Sequence, residues 1–235
     1  MNGYGGQILR VNLTEGKITK EPTPPAVARD FIGGRGFGIY FLLKEVPKGT
    51  DPLGPENKLI ISPGPLSGML AVGGGKCDWT TKAPLTGGYA SASMGGHFTA
   101  ELRYAGLDSI ILEGASPNPV YLFIDNDKVE IRDASEYWGK GTISVEKMMK
   151  DKLGDEYQIA VIGPGGENLV SYAHINHDYG RQAGRVHAHD AEPARQGQQH
   201  QRRQQGRDRT ECQEASRQHF AACLGAKFRE ALLNE

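Results

Sequence analysis

The chain has 235 residues, 38% of them hydrophobic, a net charge of −1 and three cysteines. It is long enough to bury a substantial core, and its near-neutral balance argues against nucleic acid as a partner. No stretch approaches the ~18 apolar residues of a membrane span. The first residues lack a secretion signal's charged start and apolar run. Three widely spaced cysteines make no disulfide framework, so a cytoplasmic protein is expected.

Taken in order, Gln7 to Leu13 alternates like a strand, Thr14 to Lys17 turns, and Ile18 to Glu21 returns as its hairpin partner. Val27 to Phe31 and Ile39 to Val46 read as helices split by the glycines of Gly33-Gly34-Arg35-Gly36-Phe37-Gly38. Leu59-Ile60-Ile61 is a short apolar strand ending at Ser62-Pro63-Gly64-Pro65. His97 to Tyr104 reads as a helix capped by Gly106. Ser109 to Leu112, Val120 to Ile124 and Val129 to Ile131 are strands, the last two joined by a turn at Asp125 to Lys128. Ile143 to Leu153 is an amphipathic helix stopped by Gly154, and Tyr157 to Ile162 a buried strand. Strands outnumber helices and hairpins outnumber strand–helix–strand units, which predicts an α+β fold.

Composition changes at Arg185. From His187 to His219 there is no Ile, Leu, Val, Met, Phe, Tyr or Trp, so this part cannot offset its ordering entropy by burial. We expect a folded domain over residues 1–185 and a disordered tail over 186–235. An RNA-binding tail is the weaker reading, since eight Lys/Arg face seven Asp/Glu across Val186–Glu235 with no interleaved aromatics. The Gln- and His-rich content instead suggests translation out of frame. An uninterrupted reading frame through codon 186, with a matching intact mass, would refute that.

Glycine is the outlier: 32 in the chain, 29 of them before Arg185. Seven fall in Gly73 to Phe98, beside Lys76 and Cys77, and more in Gly163-Pro164-Gly165-Gly166 and Tyr179-Gly180-Arg181-Gln182-Ala183-Gly184-Arg185. Glycine lets a ligand approach amide N–H groups, and amides beside Lys or Arg cradle phosphate. Neither a dinucleotide loop nor a Walker A pattern is met, because Ile39 and Asn168 stand where the third glycine of G-x-G-x-x-G belongs. Each residue also has a plain reading. Gly33 to Gly38 is equally a helix-initiating turn, Arg35 a partner for a surface carboxylate, and Lys76 a solvated lysine. Cys77 reads as a small buried hydrophobe and His97 as a capping or solvated residue. His174 and His177 have a spacing one helical turn could offer a metal, with no third ligand beside them. Cys212 and Cys223 match no metal spacing.

Taken together, Gly5-Gly6-Gln7-Ile8-Leu9-Arg10-Val11-Asn12-Leu13-Thr14, Phe31-Ile32-Gly33-Gly34-Arg35-Gly36, Asp51 to Leu59, Gly64-Pro65-Leu66-Ser67-Gly68, Lys82 to Gly87, Met94-Gly95-Gly96, Ala100 to Gly106, Ile162 to Asn168 and Ala183-Gly184-Arg185 resemble the aldehyde ferredoxin oxidoreductases, in order along the first 185 residues. The resemblance implies a β-rich N-terminal domain whose two related halves form a saddle under two pyranopterins. These hold tungsten through dithiolenes, with a [4Fe-4S] cluster nearby in the full-length family. The implied reaction oxidises an aldehyde to a carboxylic acid with ferredoxin as acceptor. A homodimer is compatible with it; nucleic acid and membrane partners are not implied.

Carried over residue by residue, Lys76 stands where the family usually has a phosphate-binding arginine, Ser93 where an asparagine is common, and Gly95 matches the family glycine. Arg181, Gly184 and Arg185 match the second cofactor-binding segment. A magnesium ion linking the pterin phosphates would take backbone carbonyls of Ser93 and Gln182. Lysine for arginine keeps the charge but loses the two-pronged grip. A cubane cluster needs four thiolates as a rule, and the matching region has only Cys77, so catalytic acid and cluster ligands are expected elsewhere and this chain alone to be inactive. The alternatives are the tungsten subunit of a benzoyl-CoA reductase and a non-catalytic pterin-binding module.

Overall fold

In a computed structural model of the chain, residues 2–69, 72–183 and 224–226 are described. The first sheet has the order β2-β1-β6-β3-β4-β5. Its members are β1 (Gln7–Asn12), β2 (Lys17–Pro22), β3 (Lys58–Pro63), β4 (Cys77–Lys82), β5 (Tyr89–Met94) and β6 (Leu107–Glu113). Only β1 and β6 pair in parallel. The second sheet has the order β11-β10-β9-β12-β7-β8. It contains β7 (Val120–Asp125), β8 (Lys128–Asp133), β9 (Gln158–Val161), β10 (Asn176–His177), β11 (Arg181–Gln182) and β12 (Leu224–Ala226). Five helices complete the fold: α1 (Pro25–Phe31), α2 (Arg35–Glu45), α3 (His97–Tyr104), α4 (Thr142–Leu153) and the single turn α5 (Pro164–Glu167). The α+β class expected from the sequence is the class observed.

Strand periodicity explains the layering. Along β1, β3 and β6 successive residues alternate between two cores: Leu9, Ile61 and Ile110 point one way, Ile8, Ile60 and Ile111 the other. The second set packs on Val27, Phe37, Phe41 and Leu42 of α1 and α2. The first set shares a core with Phe98 and Leu102 of α3 and with Leu122, Ile124 and Ala160 of the second sheet. On the far face of that sheet, Tyr121, Phe123, Ile159 and Val161 pack on Val145 and Met149 of α4. The order through the molecule is therefore α1/α2, first sheet, α3, second sheet, α4. With both faces covered, Ser109-Ile110-Ile111-Leu112 is buried without alternation. Each fully buried Leu, Ile or Phe contributes about 1.5–3 kcal/mol.

A buried polar knot closes one end. Asp108, on β6, accepts from Gly5 N and Gly6 N at 2.8 Å each and from Thr23 Oγ1 at 2.6 Å. It also pairs with Arg103 of α3. This ties the N-terminal segment to the central parallel strand.

Two features depart from the sequence reading. The glycine-rich stretch from Gly73 to Phe98 contains β4 and β5, two strands the sequence does not announce. All of Cys77 to Thr80 is buried, so β4 shows no apolar–polar alternation, and β5 alternates only between small residues of little contrast, Ala90, Ser91, Ala92 and Ser93. And α2 starts at Arg35, inside the glycine cluster rather than after it. Gly38 shows why: a Cβ there would run into the Thr80 side chain, so glycine lets α2 lie directly on β4. The tail expected over 186–235 and the border at Arg185 lie outside the described residues, except Leu224–Ala226. Those three depart locally from the expected disorder. They form β12, parallel to β7 and antiparallel to β9.

Candidate functional site

The β4–β5 hairpin carries the first set of candidate residues. Cys77 pairs with Met94 and Asp78 with Ser93, which puts Lys76 and Gly95 just beyond the paired ends of their strands. Lys76 is exposed, and its backbone is fixed because its carbonyl accepts from Ser67 Oγ at 3.1 Å. Ser67 Oγ in turn accepts from Gly64 N at 3.0 Å. A Cβ on Gly95 would lie 3.7 Å from the Gly75 carbonyl, and one on Gly73 or Gly75 would meet nothing within 4 Å. Among the described residues, then, the backbone around Lys76 stands open.

Beside it lies a small polar network. Buried Asp78 receives Ser93 Oγ at 3.1 Å and a close contact from Ser91 Oγ. Arg35, at the start of α2, donates from Nε to Ser91 Oγ at 3.0 Å and lies 3.5 Å from Asp78 Oδ2. The carboxylate beside Arg35 is the buried Asp78 rather than a surface one.

The second set sits at the β10–β11 turn. Arg181 and Gln182 are exposed, and Asn176 pairs with Gln182, His177 with Arg181. Asp178 and Tyr179, inside the turn, adopt φ of 44° and 54°. Asp178 reaches across to the first set: its Oδ2 accepts from His97 N at 3.4 Å and lies 4.0 Å from Arg181 Nη1. Glycine is required at Gly96, where φ is +87° and a Cβ would collide with the Asp178 carboxylate. Asp178 thus links the segment after β5, through the His97 amide, to Arg181 on β11.

Burial raises the Asp178 pKa, but the neighbouring His177 imidazole, the His97 N–H and the His97 ring outweigh it and hold the carboxyl below its usual value. Two glutamates go the other way. Burial pushes Glu101 on α3 up to about 7, and its Oε2 has no hydrogen-bond partner among the described residues. Burial likewise raises Glu146 on α4, against the Tyr179 N–H that donates to it at 2.8 Å. Neither carboxylate was singled out from sequence, because each reads as an ordinary charge on an amphipathic helix.

The remaining candidates resolve simply. Cys77 is buried, and burial first of all pushes its thiol up to about 11, so it is neither a thiolate nucleophile nor an accessible ligand. His97 is the first residue of α3, whose N-cap is Gly96, and its exposed ring caps nothing. His177 lies buried in β10 rather than on a helix, so the helical spacing imagined for His174 and His177 does not exist. Among the described residues no group of three His, Cys, Asp or Glu is arranged for a metal ion. Nor is any helix among them long and apolar enough to cross a membrane. Gly184, Arg185, Cys212 and Cys223 lie outside the described residues.

What the arrangement offers is two exposed cations on separate segments, bare glycine backbone between them, and no thiolate. That donor set suits phosphate oxygens. Comparisons with known proteins place the chain in a family. The family model for the aldehyde ferredoxin oxidoreductase N-terminal domain matches residues 8–187. The chain is 53% identical over 186 residues to a tungsten-containing aldehyde ferredoxin oxidoreductase of Pyrococcus abyssi, covering 79% of this chain and 31% of the relative. It is 48% identical, with the same coverage, to the Pyrococcus furiosus enzyme of that name. Among solved structures it resembles the active-site complex BamBC of benzoyl-coenzyme A reductase with 1,5-dienoyl-CoA, with a TM-score of 0.80 and 34% identity over 96% of this chain and 31% of that one. The chain spans about 31% of the length of the curated relatives it matches. With a family model over most of its length and about half of the matched residues identical in named members, the chain belongs to the aldehyde ferredoxin oxidoreductase family.

Proposed function

We propose that this chain is the cofactor-cradling N-terminal part of a tungsten-dependent aldehyde:ferredoxin oxidoreductase. The observation that supports the reading is that Asp178 bridges the His97 amide, two residues after Gly95, and the Arg181 guanidinium, so the two candidate segments adjoin. Lys76 and Arg181 would each hold a pterin phosphate, helped by backbone amides of the adjoining glycine segments. Backbone carbonyls of Ser93 and Gln182 would bind a magnesium ion bridging the phosphates, and Gly184 and Arg185 would complete the second segment. Asp78 keeps Ser93 and Arg35 in fixed orientations beside the cradle. When bound, the tungsten–pterin group supplies the two-electron chemistry of aldehyde plus water to carboxylic acid. This chain's own residues bind and orient it.

Electrons would leave through a [4Fe-4S] cluster to ferredoxin. Cys77, the one free cysteine among the described residues, is buried. The cluster thiolates and the catalytic acid would therefore come from the part of the relatives beyond the matched span. Identity of 53% to an aldehyde enzyme against 34% to the benzoyl-coenzyme A reductase complex favours the aldehyde substrate.

The test is cofactor retention by a chain extended to family length and purified without oxygen. Each charge-assisted phosphate contact is worth roughly 1.5–3 kcal/mol, so Lys76→Ala and Arg181→Ala should each retain tungsten and pterin about ten- to a hundred-fold less well. Circular dichroism should stay unchanged. Lys76→Arg should retain as much or more, because arginine grips phosphate with two donors. Full tungsten occupancy in both alanine variants would remove these residues from the site.

A further inference from the structure

Asp178 stands between the two segments to which the phosphate reading assigns its cations. Its side chain is only 12% exposed. One oxygen, Oδ2, lies 3.4 Å from the His97 amide, 3.9 Å from His97 Nδ1, 3.3 Å from His177 Nδ1 and 4.0 Å from Arg181 Nη1. Gly96 has no Cβ at the one place where a Cβ would expel this carboxylate. The turn beneath is strained: Asp178 and Tyr179 are consecutive non-glycine residues at positive φ, a conformation that persists only where the surroundings hold it. Glu146 does so from α4 by accepting the Tyr179 N–H, and Gly180 N closes the turn on the His177 carbonyl at 3.2 Å. Strain held this firmly, next to two exposed segments that both meet the same carboxylate, calls for a reason beyond chain reversal.

We propose that Asp178 is a positioning residue which fixes the Gly95–His97 loop and the Arg181 guanidinium relative to each other, so that backbone and cation from the two sheets converge on one phosphate. This rests on the phosphate reading above. Its sign separates it from a bystander role. A carboxylate near an anion site opposes the anion by charge alone, so removing an idle Asp178 would tighten phosphate binding. Removing a positioning Asp178 weakens it, because Arg181 and the loop then pay the ordering entropy on binding.

The experiment titrates the full 235-residue chain with inorganic phosphate in magnesium buffer by calorimetry. Asp178→Ala should bind about tenfold more weakly with unchanged circular dichroism, while Asp178→Asn, which keeps an oxygen for the His97 amide but not the charge facing Arg181, should lose about threefold. Phosphate binding that is unchanged or tighter in Asp178→Ala overturns the proposal. Should that variant not fold, the same result in Asp178→Asn overturns it. If Arg181→Ala weakens phosphate while Asp178→Ala does not, the positioning role alone falls. If the parent chain binds no phosphate, the phosphate reading falls and takes the positioning role with it.

Discussion

The first sheet presents Lys76, Ser93 and Gly95 from a hairpin of six-residue strands, anchored in a sheet covered on both faces. The second presents Arg181 and Gln182 from a two-residue strand paired only with another two-residue strand, through a turn at positive φ. The first half is held by apolar area and a long ladder, the second by individual polar contacts from Glu146 and Asp178. A sheet edge that short cannot fix a cation by its own hydrogen bonds, so side chains from α4 and from the turn itself take over.

The comparison can be broken by cutting one polar anchor in each half. Asp108→Ala, in the first sheet, strands Arg103 together with the donors of Gly5, Gly6 and Thr23. Losing one partner of such a buried pair costs about 3–5 kcal/mol. Glu146→Ala, under the second, removes one acceptor from the Tyr179 amide and should cost about 1–2 kcal/mol. Denaturant unfolding measures both. An equal or larger loss from Glu146→Ala would show that the β10–β11 turn is bound into the global fold rather than held locally by its own polar contacts.

Glu101, on the helix between the sheets, sharpens the comparison with a smaller effect. Its folded carboxyl titrates at about 7, above the ordinary glutamate value, because burial disfavours the charge. A raised acid is most comfortable protonated, so stability is full below the unfolded value near 4.5. It falls as pH rises toward and through 7. Partial exposure screens the penalty to about 1 kcal/mol. Glu101→Gln should therefore match the parent at pH 4 and melt higher at pH 8. Identical melting temperatures at pH 8 would show that the carboxylate finds compensation in solution.

Much of this protein was legible in the sequence alone. Period-2 apolar alternation marked β1, the hairpin return marked β2, and short apolar runs marked β3, β6, β7 and β9, since strand geometry writes itself into residue spacing. Amphipathic spacing and Gly154 located α4 to within a residue of its observed start and end. Ordered motifs identified the family and pointed to Lys76, Ser93, Gly95 and Arg181. Hidden from sequence were β4, a doubly buried run with no alternation to read, and β5, whose alternating Ala and Ser residues contrast too little in hydrophobicity. Gly38 reads in sequence as part of a helix-initiating turn, and Gly96 as part of a glycine-rich motif. Only packing showed that one lets α2 touch Thr80 and the other makes room for Asp178. Asp178 and Glu146 could not be recognised as a pair with a role, because 32 positions separate them and only the docking of α4 on the second sheet brings them to the same turn. Local periodicity reports the faces an element must bury. Which polar group meets which across those faces is a long-range contact, and it exists only once the layers have packed.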